Sequence, residues 1–162
     1  MHRPYGLAVG CALLLLLAAT TGARAQGAPQ ALLLQQLATI ARGDVAGALA
    51  LYRENAVVDG VGLCAVAPCV GKAAIQKELE HQIAHHVHAT ALNSYVSGSV
   101  VTLRYAIHSD GTQHAGVDRS IGWAIVEIQE GKIATVRGPL WERTDAQTAQ
   151  YLAWQQGQQA AR

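Results

Sequence analysis

The sequence predicts an α+β domain whose N-terminal helices lie on one face of a curved, mainly antiparallel sheet. Three observations point to it. Up to Val87 the apolar residues recur at helical spacing. From Ala89 onward the pattern changes to period two and β-branched residues, the signature of strands. Short glycine-containing turns separate those runs, as hairpins require. Helices first and hairpins afterwards give segregated α and β layers.

Leu32, Leu33, Gln36, Leu37 and Ile40 mark one face of the first helix, which Arg42-Gly43 ends. Asp44 suits the N-cap of a second, shorter helix through Ala48, Leu49 and Tyr52. Ala56-Val57-Val58-Asp59 reads as a short strand that ends on a lone acid. Lys72–Val87 reads as a helix with Ile75, Leu79, Ile83 and Val87 on one stripe. Ala89–Ser97, Ser99–His108, Val117–Gln129 and Lys132–Glu142 are the predicted strands. Ser97-Gly98, Ser109-Asp110-Gly111 and Glu130-Gly131 supply their turns. The bent sheet is expected to wrap around the Lys72–Val87 helix. Asp145 caps a last helix through Trp154.

Residues 1–25 carry a basic Arg3, a leucine-rich stretch and Ala23-Arg24-Ala25, the plan of a cleaved secretory signal. The stretch Leu7–Ala19 is shorter than the roughly 20 residues of a spanning helix, which argues against stable membrane insertion. Cys11 stands ahead of the leucines, which argues against lipoprotein processing. The expected organisation is a signal peptide at 1–25, a disordered start at 26–31, one domain at 32–156 and a disordered tail at 157–162. Location is then periplasmic or secreted. Cleavage after Ala25 removes Arg3 and Arg24 from the 12 basic residues, leaving 10 against 11 acidic ones and a net charge of −1. That balance is no footprint for nucleic acid. With no Phe, the core must come from Leu, Ile, Val and Ala, with Trp and Tyr as its aromatics. Cys64 and Cys69 remain, and an even pair in an exported chain favours a disulfide over a metal site or a nucleophile. It would clip the loop between Asp59 and the next helix, with Pro68 favouring a turn.

The stretches ARGDVAGALALYRENAVVDG, GKAAI and EGKIATVRGPLWER, in that order and spacing, resemble the nuclear transport factor 2-like superfamily, with its SnoaL-like and ketosteroid-isomerase-like branches closest. The resemblance covers about Leu32 to Arg143. It implies a cone-shaped roll with a pocket at its wide end, occupied by a small apolar molecule, and a homodimer formed through the sheet. It implies no cofactor and no metal. In the isomerase branch an acid closing the first strand abstracts a proton beside a carbonyl. VVDGVG places Asp59 there when Val61-Gly62 is the anchor. The branch's oxyanion tyrosine falls at Gln36, and its second oxyanion acid at Trp123 or Ala124. Without those donors the largest stabilising term of such chemistry is missing. Two functions follow. One is a small-molecule-binding domain with Asp59 at the pocket rim and no efficient catalysis. The other is an isomerase, cyclase or dehydratase with Asp59 as general base.

Further side chains are candidates for the pocket. Asp59 is either the base or a carboxylate capping strand-end N–H groups. Glu78, His81, His85 and His88 share a helix face opposite the apolar stripe, so they are a solvated face or transition-metal ligands. His86 falls inside the apolar arc, as a core histidine or a pocket residue. Arg104 and Asp118 pair inside the roll if both point inward, and could hold a ligand carboxylate. Trp123, Trp141 and Tyr95 either wall the pocket or fill the core.

Overall fold

The structure is a computed structural model that describes residues 21–160, with side chains from Pro29 onward. Residues 1–20 of the expected signal segment, and 161–162 of the expected tail, lie outside the described residues.

The chain opens with α1 (Thr21–Ala41) and α2 (Val45–Ala50). Asp44 caps α2 as expected, accepting the Gly47 N–H at 2.7 Å. Residues 26–31, expected as a loose start, lie within α1, although Pro29 interrupts its hydrogen bonding. Alanine and glutamine on both sides are good helix formers and carry the helix through. Tyr52, assigned to the second helix by spacing, belongs instead to β1 (Tyr52–Asp59), because strand pairing to residue 133 begins there.

After β1 come a single 3₁₀ turn at Gly62–Ala65, the two-residue β2 (Cys69–Val70) and α3 (Lys72–Ala84). Cys64 and Cys69 form a disulfide with Cα atoms 5.2 Å apart. Then follow β3 (His88–Ser97), β4 (Val100–His108), α4 (Asp110–His114), β5 (Ser120–Gln129), β6 (Lys132–Trp141) and α5 (Ala146–Ala160). Ser109-Asp110-Gly111 is not a tight turn, because Ser109 and Thr112 close a capping box that starts α4. The next strand accordingly begins at Ser120, since the Asp118 and Arg119 N–H groups are held by the Gln147 side chain. Asp145 caps α5 through the Thr148 N–H at 2.9 Å. Residues 157–160 of the expected tail continue that helix on alanine and glutamine.

The sheet is a six-stranded, curved and open one in the order β2-β1-β6-β5-β4-β3. Only β1 and β6 pair in parallel. Register shifts between Ala91 and Asn93, and between Trp123 and Ile125, mark bulges of the kind that bend a sheet. One register row decides both faces. Val58, Val136, Val126, Val101 and Val96 are cross-strand neighbours in turn, and they form the inner face. Next to it, Asp59, Arg137, Ile125, Thr102 and Tyr95 form a row on the outer face.

The helix laid across β3 and β4 is α1, whereas α3 packs on α2, β1 and the clipped loop. This differs from a sheet wrapped around residues 72–87. The α1 stripe of Leu33, Leu37 and Ile40, with Gln36 as its polar member, claims the inner face. Leu33, Ile75, Leu79, Val101 and Ile133 are fully buried anchors of the core, each worth roughly 1.5–3 kcal/mol of transfer free energy.

Candidate functional site

A cavity of about 100 Å³ lies between α1 and the inner face of the sheet. Leu33, Gln36, Leu37 and Ile40 of α1 form one wall. Tyr52 and Val58 of β1, Leu103, Tyr105 and Ile107 of β4, and Ala124 and Val126 of β5 form the other. Period two delivers these side chains, since every second residue of β4 and β5 faces inward. Val61, Gln82, Val87, Ala89, Val136 and Gly138 complete the lining. No aspartate, glutamate, lysine, arginine or histidine is among the residues that line it.

Its polar groups are Gln36, Tyr52, Gln82 and Tyr105. The Gln36 side-chain amide donates to the Tyr52 hydroxyl. Burial pushes the Tyr52 hydroxyl well above the ordinary phenol range, and the charge of Glu78 adds to the shift. Burial raises Tyr105 as well. Both stay protonated at neutral pH.

Behind Gln82 lies Glu78, 1% exposed. Its carboxylate accepts the Gln82 side-chain amide at 2.7 Å and the Leu63 backbone N–H at 2.7 Å. Burial raises its pKa, and these hydrogen bonds oppose the shift. Gly62 makes room for it, because a β-carbon on residue 62 would overlap the carboxylate. Glu78 is therefore not part of a solvated face with His81, His85 and His88. Ile75, Glu78, Leu79, Gln82 and Ile83 follow the i, i+3, i+4, i+7, i+8 pattern of a core-facing stripe, whereas a spacing of four alone overlooks Glu78 and Gln82. His81 and His85 keep their rings 4.3 Å apart, edge to face. Among the described residues no three His, Cys, Asp or Glu side chains come together as a metal site needs.

The residues singled out from sequence fall elsewhere. Asp59 is half-buried on the outer-face row, one residue from Val58 and two from Val61, both of which line the cavity. His86 is exposed, with φ +49°, and its Nδ1 lies 3.0 Å from Asp110. It stands just past the end of α3, so the helical wheel that placed it inside does not apply. Arg104 and Asp118 do not pair. Arg104 is on the outer face and grips Glu142 through two hydrogen bonds of 2.8 and 2.9 Å, which raises Arg104 and lowers Glu142. Asp118 is exposed, while its neighbour Arg119 pairs with Asp145 at 3.2 Å. Trp123 stacks on Tyr95 outside the sheet, ring centres 6.4 Å apart. Trp141 shares an inner row with Gly122 and Tyr105 but packs edge-on against Tyr151 of α5, 5.6 Å away. Of the positions aligned with the oxyanion groups, Gln36 and Ala124 do line the cavity, and Trp123 does not.

A comparison with curated proteins finds no match. Three of the solved structures that share the fold illustrate it. A Mycobacterium tuberculosis protein, solved in complex with estradiol-17beta-hemisuccinate, is 20% identical with a TM-score of 0.58, covering 71% of this chain and 94% of that one. The epoxide hydrolase/cyclase-like enzyme SalBIII, of pyran ring formation in the polyether salinomycin, is 18% identical with a TM-score of 0.60, covering 72% and 92%. A putative polyketide cyclase from Sinorhizobium meliloti is 18% identical with a TM-score of 0.56, covering 66% and 92%. The model of the SnoaL-like domain matches residues 33–136, a span that runs from the first cavity residue of α1 to Val136 of β6. The chain belongs to the SnoaL-like domain family.

Proposed function

We propose that this chain is an exported domain that binds a small, largely apolar molecule in the cavity under α1, without efficient catalysis. The observation that carries the reading is the lining: apolar walls, four neutral polar side chains and no ionised group. Such a lining holds a ligand by desolvation and a few hydrogen bonds. It offers no carboxylate or imidazole to move a proton. A structural relative that holds a steroid ester supports a small-molecule role. The size argues for something smaller than a steroid here. A cavity of roughly 150 Å³ takes benzene, so about 100 Å³ holds at most a single small ring or a short chain. Export rests on residues 1–25, and a disulfide suits that destination.

Toluene is a direct probe. Its addition should raise the melting temperature of the purified mature domain in a concentration-dependent way. Ala124→Leu, which fills the cavity, should abolish the effect. No shift with either toluene or phenol at millimolar concentration would overturn the reading.

The catalytic alternative keeps one support: Asp59 is joined through Gly60, at φ +85°, to the cavity residue Val61. In that reading Asp59 swings inward as general base on an apolar carbonyl compound. Asp59→Asn would then remove turnover and leave affinity intact. A homodimer through the outer sheet face completes the proposal, because Tyr95, Ile125 and Leu140 are exposed there.

A further inference from the structure

We propose that Glu78 is a positioning residue: by fixing the Gln82 amide it makes the cavity select a neutral, ring-sized molecule bearing a hydroxyl group over a hydrocarbon or a carboxylate of equal size. The inference rests on the ligand-binding reading above and names the ligand class.

Two donors converge on Glu78, the Leu63 N–H and the Gln82 Nε2, which is the environment of an ionised carboxylate. Turning the Gln82 amide over would set its carbonyl oxygen against that carboxylate. The amide nitrogen is thereby committed to Glu78, and the Gln82 carbonyl is left without a donor among the described residues, on a side chain that lines the cavity. Gln36 gives one N–H to Tyr52, and its carbonyl is unmatched among the described residues. Because the Tyr52 hydroxyl accepts from Gln36, its own proton is left to give. The Tyr105 hydroxyl has no hydrogen-bond partner among the described residues.

The cavity therefore presents both unmatched acceptors and unmatched donors in an apolar setting. A ligand hydroxyl both donates and accepts, so it answers both kinds. A hydrocarbon answers neither, and sites built to hydrogen-bond discriminate against analogues that lack the group. A carboxylate would bring a second negative charge near Glu78 into a low-dielectric space.

Calorimetric titration of phenol, toluene and benzoate into the mature protein tests this. Phenol should bind about tenfold more tightly than toluene, one or two net hydrogen bonds' worth, and benzoate should not bind measurably. Gln82→Met should lower the phenol-to-toluene ratio by about 3- to 10-fold, the Gln36 carbonyl and the two tyrosine hydroxyls remaining. Glu78→Gln should lower the ratio by about 3- to 10-fold. Loss of folding strength moves both ligands together, so the ratio reports on positioning. If Glu78→Gln fails to fold, Gln82→Met decides. Toluene bound with phenol no tighter, benzoate bound as well as phenol, or a ratio unchanged in Gln82→Met would each overturn this inference alone. Failure of both toluene and phenol to bind would overturn the ligand-binding reading with it.

Discussion

Glu78 is a carboxylate inside a helix–sheet interface, and its cost is readable as a pH dependence. Burial raises its pKa in the folded protein above the ordinary carboxylate value. The folded state then binds the proton more tightly than the unfolded chain. Its contribution to stability falls as pH rises from the unfolded value through the folded one, and is flat above. Glu142 and Asp145 act in the opposite sense. Arg104 lowers the first, and the Thr148 N–H and Arg119 lower the second, so their stabilisation is lost as pH falls through the folded pKa values. In urea titrations across pH 3 to 9, the stability of Glu78→Gln relative to the parent should grow as pH rises past about 4.5 and then level off. Parallel profiles would exclude a destabilising charge at this position. Glu78→Ala should behave differently, costing about 1–3 kcal/mol for the unpaired Leu63 N–H alone.

The segment between β1 and α3 depends on two devices. The Cys64–Cys69 bond closes a six-residue loop, counting both cysteines, and Glu78 takes up the Leu63 N–H of its 3₁₀ turn. Chain-entropy reasoning puts such a small ring at about 2 kcal/mol. Cys64→Ala/Cys69→Ala should lower the denaturation free energy by about that amount, plus the packing lost at fully buried Cys64. A loss below 0.5 kcal/mol would mean that the Glu78 contact alone holds the turn. In β1 the alternation of Ala56, Val57, Val58 and Asp59 settles which face the acid takes. A one-residue slip would exchange Val58 and Asp59 between cavity and outer face. The parallel pairing Val58–Val136 and Asp59–Arg137 selects the register that buries valine.

Over the whole molecule, the inner sheet face is covered by α1 and the outer face is partly bare. Tyr95 is 59% and Leu140 56% exposed, and Trp123 lies between them as the neighbour of both. In the proposed homodimer this patch is the contact. Light scattering on the mature protein should return twice the monomer mass, and Tyr95→Glu/Ile125→Lys should halve it. Toluene binding should be unaffected, because none of these residues lines the cavity. A monomer in the parent protein would remove the dimer.

The sequence by itself determined the order of the main helices and strands, the caps at Asp44 and Asp145, the pairing of the two cysteines and the face of β4 that carries Leu103, Tyr105 and Ile107. These are local: periodicity, capping chemistry and short loops act within a few residues of chain. Only the tertiary structure decided which face of each strand looks into a cavity, because that depends on pairing across strands far apart in sequence. It moved Arg104 to the outer face with Glu142, set Asp59 beside Arg137 in one outer-face row, and put Trp123 against Tyr95. It also drew Glu78 inward beneath a glycine of a different segment, Gly62, where no helical periodicity could show the space. Burial of a charge is a property of what packs around it, and only the assembled fold supplies that.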